Sequence, residues 1–123
     1  MIENFHTISD FFGYSPNFHD SEIMEVHFDS YKLFLMLTIY MFETTSDIDS
    51  NGNYKKQKSC FFNLNFENVI ELELEDLNIQ NVIFDLTFTK EKQGLKTIID
   101  SSCGLNGCIV SSKVSVTNFK QIE

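Results

Sequence analysis

The chain has 123 residues, 42 % of them apolar and 13 of them Phe, enough to bury one sizeable core without metal or disulfide staples, so a single domain is expected. A net charge of −9 excludes phosphate-rich partners, nucleic acid and anionic lipid alike, and favours basic protein surfaces, although acidity also serves solubility alone. There is no Ala and no Arg, and the abundance of Phe, Ile, Val, Thr and Tyr favours strands over helices.

Ile2, Phe5, Ile8, Phe11 and Phe12 recur at three-to-four spacing, which predicts a short helix over residues 2–12 ended by Gly13. A loop over 13–19 follows, and then alternation takes over. Met24, Val26 and Phe28 share one strand face, with Glu25, His27 and Asp29 on the other. Leu33, Leu35, Leu37, Ile39 and Met41 form a second strand whose opposite face (Phe34, Met36, Tyr40, Phe42) is also apolar, so it is expected to be central and covered on both sides. Residues 44–54 read as a polar loop. Further strand faces are Cys60, Phe62, Leu64 and Phe66; then Ile70, Leu72 and Leu74; then Val82, Phe84, Leu86 and Phe88. The Glu and Leu content of 66–77 also admits a helix. Residues 95–100 and 109–116 complete the set, joined by a turn over Gly104–Gly107 in which Asn106-Gly107 tolerates positive φ. About seven strands with hairpin-length connections predict a mainly antiparallel β fold, a sandwich or a curled half-barrel, with a short N-terminal helix.

The longest apolar run, residues 33–42 with Thr38 inside it, is strand-length and too short to span a membrane. Glu3 stands where a secretory signal would carry basic residues, so a cytoplasmic protein is expected, with Cys60, Cys103 and Cys108 as free thiols. Cys103 and Cys108 flank the last turn, a separation that also permits a disulfide, but two thiols alone do not make a zinc site.

His19, Asp20, Glu22 and His27 raise the question of a metal or a general base. A catalytic metal needs three converging ligands, whereas His19 and Asp20 precede the strand and Glu22 lies off the face that carries His27. The reading taken is that His19 and Asp20 hydrogen-bond backbone groups and fix how the chain enters the strand. Asp47-Ile-Asp49-Ser-Asn51-Gly52 opens like a calcium loop, but Lys58 stands at the twelfth position where a bidentate Glu is needed. No metal and no cofactor are expected. Residues 1–50 hold nine acids against Lys32 alone. Two acidic groups are candidate contact surfaces for a basic partner: Glu43, Asp47 and Asp49 in the loop, and Glu71, Glu73 and Glu75 on one strand face, alongside Glu67 and Asp76.

FHDSEI at residues 18–23, the polar loop with its Phe-rich strand, LNIQNVIFDL and DSSCGLNG occur in an order that resembles the Imm50 family of bacterial immunity proteins, from Phe18 to about Phe119. The positions that match are His19, Asp20, Asp100, Ser101, Gly104, Leu105 and Gly107. The resemblance implies a non-enzymatic binding protein that neutralises a cognate polymorphic toxin by occluding its active site or substrate path. It also implies a structural role for the His-Asp dipeptide, and carries no role over to Cys103 or Cys108. A basic nuclease is the toxin for which the acidity has a direct use. The alternative is a small cytosolic β-domain of ligand-binding or hydrolase type using His19, Asp20 and Glu22.

Overall fold

In the computed structural model, which describes residues 1–122, nine strands join one mixed sheet and a single short helix packs against it. In chain order these are β1 (Ile2–Glu3), α1 (His6–Phe12), β2 (Glu22–Asp29), β3 (Phe34–Ile48), β4 (Tyr54–Glu67), β5 (Glu71–Glu75), β6 (Val82–Glu91), β7 (Gly94–Cys103), β8 (Asn106–Ser111) and β9 (Lys113–Gln121). The sheet order is β1-β9-β4-β3-β2-β6-β7-β8-β5, antiparallel throughout except where β1 lies parallel to β9. The mainly β reading holds, with nine strands in place of about seven. The two additions are β1, too short to alternate, and a division of the segment 109–116 at Ser112.

That division shapes the molecule. β8 pairs with β7 and β5, whereas β9 pairs with β4 and β1, so strands one residue apart in sequence lie near opposite ends of the sheet. Such a crossing is possible only if the sheet curls until its ends approach. Ser112 marks the corner: its N–H and its hydroxyl both donate to the Glu67 carbonyl at 2.9 and 3.1 Å, and Asn68 Nδ2 donates to Ser112 Oγ at 3.0 Å. Gly94 packs beneath, with φ +145° and so little room that a Cβ would collide with the Ser111 carbonyl. The result is a curled, unclosed sheet, which is the half-barrel form of the expectation.

The concave face is the core. Leu35, Leu37, Ile39 and Met41 from β3 and Cys60, Phe62, Leu64 and Phe66 from β4 are all at most 2 % exposed. The helix lays Ile8 and Phe12 into the same cluster. It begins at His6, not at residue 2, because Ile2 and Glu3 hydrogen-bond as a strand and Asn4 turns the chain at φ +65°. Gly13 ends it in the left-handed conformation, donating to the Ser9 carbonyl. Lys58 Nζ caps the same end, 3.3 and 3.2 Å from the carbonyls of Phe11 and Phe12, where a cation suits the helix dipole.

Two β-bulges correct the expected strand faces. A register shift between Ile23 and Glu25 turns Ile23 into the core and leaves Met24 about half exposed. A second, between Ile83 and Asp85, buries Ile83 completely and leaves Phe84 53 % exposed. Strand β3 is central, but its convex side has no covering layer, so Phe34, Met36, Tyr40 and Phe42 are only half buried. Lys56 Nζ lies 5.1 Å and 4.4 Å from the ring centres of Tyr40 and Phe42. Leu33 stays outside the strand, at φ +53° and exposed. The polar loop of 44–54 is instead a continuation of the β3–β4 hairpin, with Ile48 opposite Tyr54 and only the tip turning. Residues 71–75 are a strand, not a helix, with Glu71, Glu73 and Glu75 exposed and Leu72 and Leu74 turned inward.

Gly94 and Gly52 give a paired test of the corner. Gly94→Ala forces a methyl into the Ser111 carbonyl and should destabilise by about 2–4 kcal/mol in urea unfolding. Gly52→Ala, in open space at φ +82°, should lose only the conformational cost of about 1–2 kcal/mol.

Candidate functional site

The segment FHDSEI divides between core and surface. Phe18 is 6 % exposed and packs its ring 6.1, 6.3 and 6.2 Å from those of Phe5, Phe62 and Phe88. His19 faces outward: its backbone N–H donates to Asn17 Oδ1 at 3.0 Å and its Nδ1 donates to the Phe84 carbonyl at 2.8 Å. The imidazole stands edge-on to the Phe84 ring, 5.3 Å between centres, and its Nε2 lies 3.5 Å from Asp20 Oδ1. Asp20 takes φ +68°, a conformation Asp tolerates, and its N–H donates to the Ile83 carbonyl. Ile83 N–H donates to the Ser21 carbonyl, and Ile23 N–H donates to the Asn81 carbonyl. The dipeptide thus sits where β2 meets β6, a junction with a single regular register pair, Glu22 opposite Val82. Glu22 lies beside Tyr40 on β3.

The second set of matching positions forms a turn held from outside. Asn81, 6 % exposed, accepts at Oδ1 from the N–H groups of Asn78 and Leu105 at 3.0 and 2.9 Å, and donates through Nδ2 to the Asn78 carbonyl at 2.9 Å. One side chain thereby joins the β5–β6 connection to the β7–β8 turn. Gly104 is required there, because at φ +86° a Cβ would strike Asn81 Oδ1 and the Gln80 carbonyl. Ser101 completes the turn, its hydroxyl donating to the Gly104 carbonyl at 2.9 Å and its N–H to Asn106 Oδ1 at 3.0 Å. Leu105 is 1 % exposed, and Gly107 lets β5 approach at Leu74 and Glu73. Asp100 is exposed on β7. The residue that sequence reasoning did not single out is Asn81; its signal was Asn78-Ile-Gln-Asn81, two Asn three apart between strands, the pattern of a side-chain-closed turn.

The acidic groups are unlike one another. Glu43 accepts from Tyr14 Oη at 2.6 Å and from Gln57 Nε2, and these bonds, Tyr14 first, hold its carboxyl below the usual range. Asp49 Oδ1 is occupied in closing the hairpin tip, accepting from Asn51 and Asn53 N–H at 2.8 and 3.0 Å. Asp47 is exposed. Lys55, Lys56 and Lys58 on the returning strand offset these three charges. Glu71, Glu73 and Glu75 lie on the edge strand β5 and take part in none of the ion pairs found among the described residues. Glu67, by contrast, shares Lys113 with Glu3. No group of three or more His, Cys, Asp or Glu among the described residues is placed to hold a metal ion.

All three cysteines are unpaired. Cys103 and Cys108 are not opposite one another: Cys103 faces Val82 and Cys108 faces Ile98. Cys60 is fully buried in the core, and desolvation pushes its thiol up to about 11.

Residues 4–121 match the family model "Immunity protein 50", and the chain belongs to the Imm50 family. Among solved structures, an uncharacterized protein from Neisseria gonorrhoeae is similar at 19 % identity and a TM-score of 0.49, over 85 % of this chain and 94 % of the other. No curated protein matches. No helix among the described residues is long and apolar enough to cross a membrane.

Asn81→Ala should leave the buried N–H of Leu105 without a partner and cost about 2–4 kcal/mol in urea unfolding. The Cys60 thiol gives a pH signature. Its folded value lies above its unfolded one, so its contribution to stability should be lost as pH rises from about 9 to about 11, and Cys60→Ala should make the decline in that window shallower. A disulfide reagent should label Cys103 in the folded protein and Cys60 only after unfolding.

Proposed function

We propose that this chain is an immunity protein that binds a cognate polymorphic toxin in the cytoplasm of the cell that makes both, and neutralises it by covering its active site or substrate path. The observation that carries this reading is membership of the Imm50 family over residues 4–121. The surface is consistent with it. The net charge of −9 suits a basic partner, and a nuclease, which must attract phosphate, is the toxin class that fits best. Complementary fields would then speed association by ~10 to 10³-fold at low salt.

No observation favours the hydrolase alternative.

The test uses the toxin domain encoded beside this chain's gene. Co-expression should restore growth to cells making that toxin, and the two proteins should co-purify as a stoichiometric complex. Cell death undiminished by co-expression would refute the reading.

A further inference from the structure

The register of the sheet places side chains that the sequence separates. On the convex side of β6, β7, β8 and β5, Thr87, Ile98, Cys108 and Glu73 form one row across the strands. Thr89, Lys96, Val110 and Glu71 form the row beside it. On the other flank Asp85 stands directly opposite Asp100, and Glu75 opposite Asn106. Ile98 is 41 % exposed at the centre. Five carboxylates thus surround a bare aliphatic side chain, with Lys96 as the one cation in these rows.

Two features separate this face from an ordinary solvated one. Like charges directly opposite in an antiparallel pair destabilise it, and neither Asp85 nor Asp100 takes part in an ion pair found among the described residues. The other acidic region, the β3–β4 arm, is balanced: Glu43, Asp47 and Asp49 stand against Lys55, Lys56 and Lys58, and Glu43 and Asp49 already serve internal bonds. The β6–β7–β8–β5 face thus carries five carboxylates against one lysine in these rows, whereas the arm carries three against three.

We infer that the convex face of β6–β7–β8–β5, with Ile98 as its apolar centre and Asp85, Asp100, Glu71, Glu73 and Glu75 around it, is the docking surface for a basic face of the cognate toxin domain. The inference rests on the immunity reading and narrows it to one face. Lysine or arginine side chains of the toxin neutralise the opposed Asp85 and Asp100, and an apolar toxin group covers Ile98.

Removing one of the opposed charges should therefore stabilise the free protein while weakening its complex, a combination that a merely structural role does not give. Asp85→Asn and Asp100→Asn should each raise the unfolding midpoint by about 1–4 °C. In stopped-flow binding to the toxin domain encoded beside this chain's gene, each should slow association ~2–5-fold at low salt, the difference vanishing at high salt. Charge reversal at Glu71, Glu73 and Glu75 together should slow it ~10-fold or more, whereas reversal at Glu43, Asp47 and Asp49 should not. Ile98→Ala should act on dissociation, ~5-fold faster. Association and dissociation unchanged across the Asp85, Asp100, Glu71–Glu75 and Ile98 variants would overturn this assignment and leave the immunity reading standing. Failure of the wild-type chain to bind that toxin domain would overturn both.

Discussion

The corner at Ser112 is the constraint on which the rest of this molecule depends. One residue separates β8, next to one edge of the sheet, from β9, next to the other, so the nine strands cannot lie flat. Curling gives the sheet a concave side, and that side is where Phe62, Phe66, Leu35 and Ile109 lose all contact with solvent. The corner is built from hydrogen bonds of Ser112 and Asn68 over a glycine that leaves room for them. A side chain at position 94 would collide with the Ser111 carbonyl beside the corner.

A second constraint holds the half of the sheet that the corner does not reach. Strands β2 and β6 meet through few regular pairs, and the chain reinforces that junction with side chains: His19 on the Phe84 carbonyl, Asp20 in a left-handed turn, and Asn81 between two loops. Six of the positions that resemble the family's pattern, His19, Asp20, Ser101, Gly104, Leu105 and Gly107, gather at this seam and at the adjacent turn. They specify how two parts of a sheet are joined.

The electrostatics follow the same division. Carboxylates near lysines, such as Glu67 beside Lys113 or Glu43 near Lys58, belong to the architecture. Asp85, Asp100, Glu71, Glu73 and Glu75 take part in none of the ion pairs found among the described residues, and Asp85 opposite Asp100 works against the sheet that carries it. By count the net charge is concentrated in residues 1–50, whereas the carboxylates of β5, β6 and β7 lie outside that stretch.

Period-two alternation was enough to locate seven strand segments, one of which the structure divides, and the faces of β3 and β4 that form the core, because side chains on a pleated strand alternate whatever the strand pairs with; three-to-four spacing located the helix closed by Gly13. The order of short motifs was enough to recognise the family, since each motif is a local arrangement of turn residues and polar side chains. Three things lay beyond it. The bulges at Met24 and Phe84 invert strand faces and are set by the partner strand's register, which no single strand encodes. The break at Ser112 falls within an unbroken β pattern and is imposed by closure of the curl. The pairing of Asp85 with Asp100, and of Asn81 with Leu105, joins residues 15 and 24 positions apart, so these contacts come into being only when the tertiary fold brings the strands together.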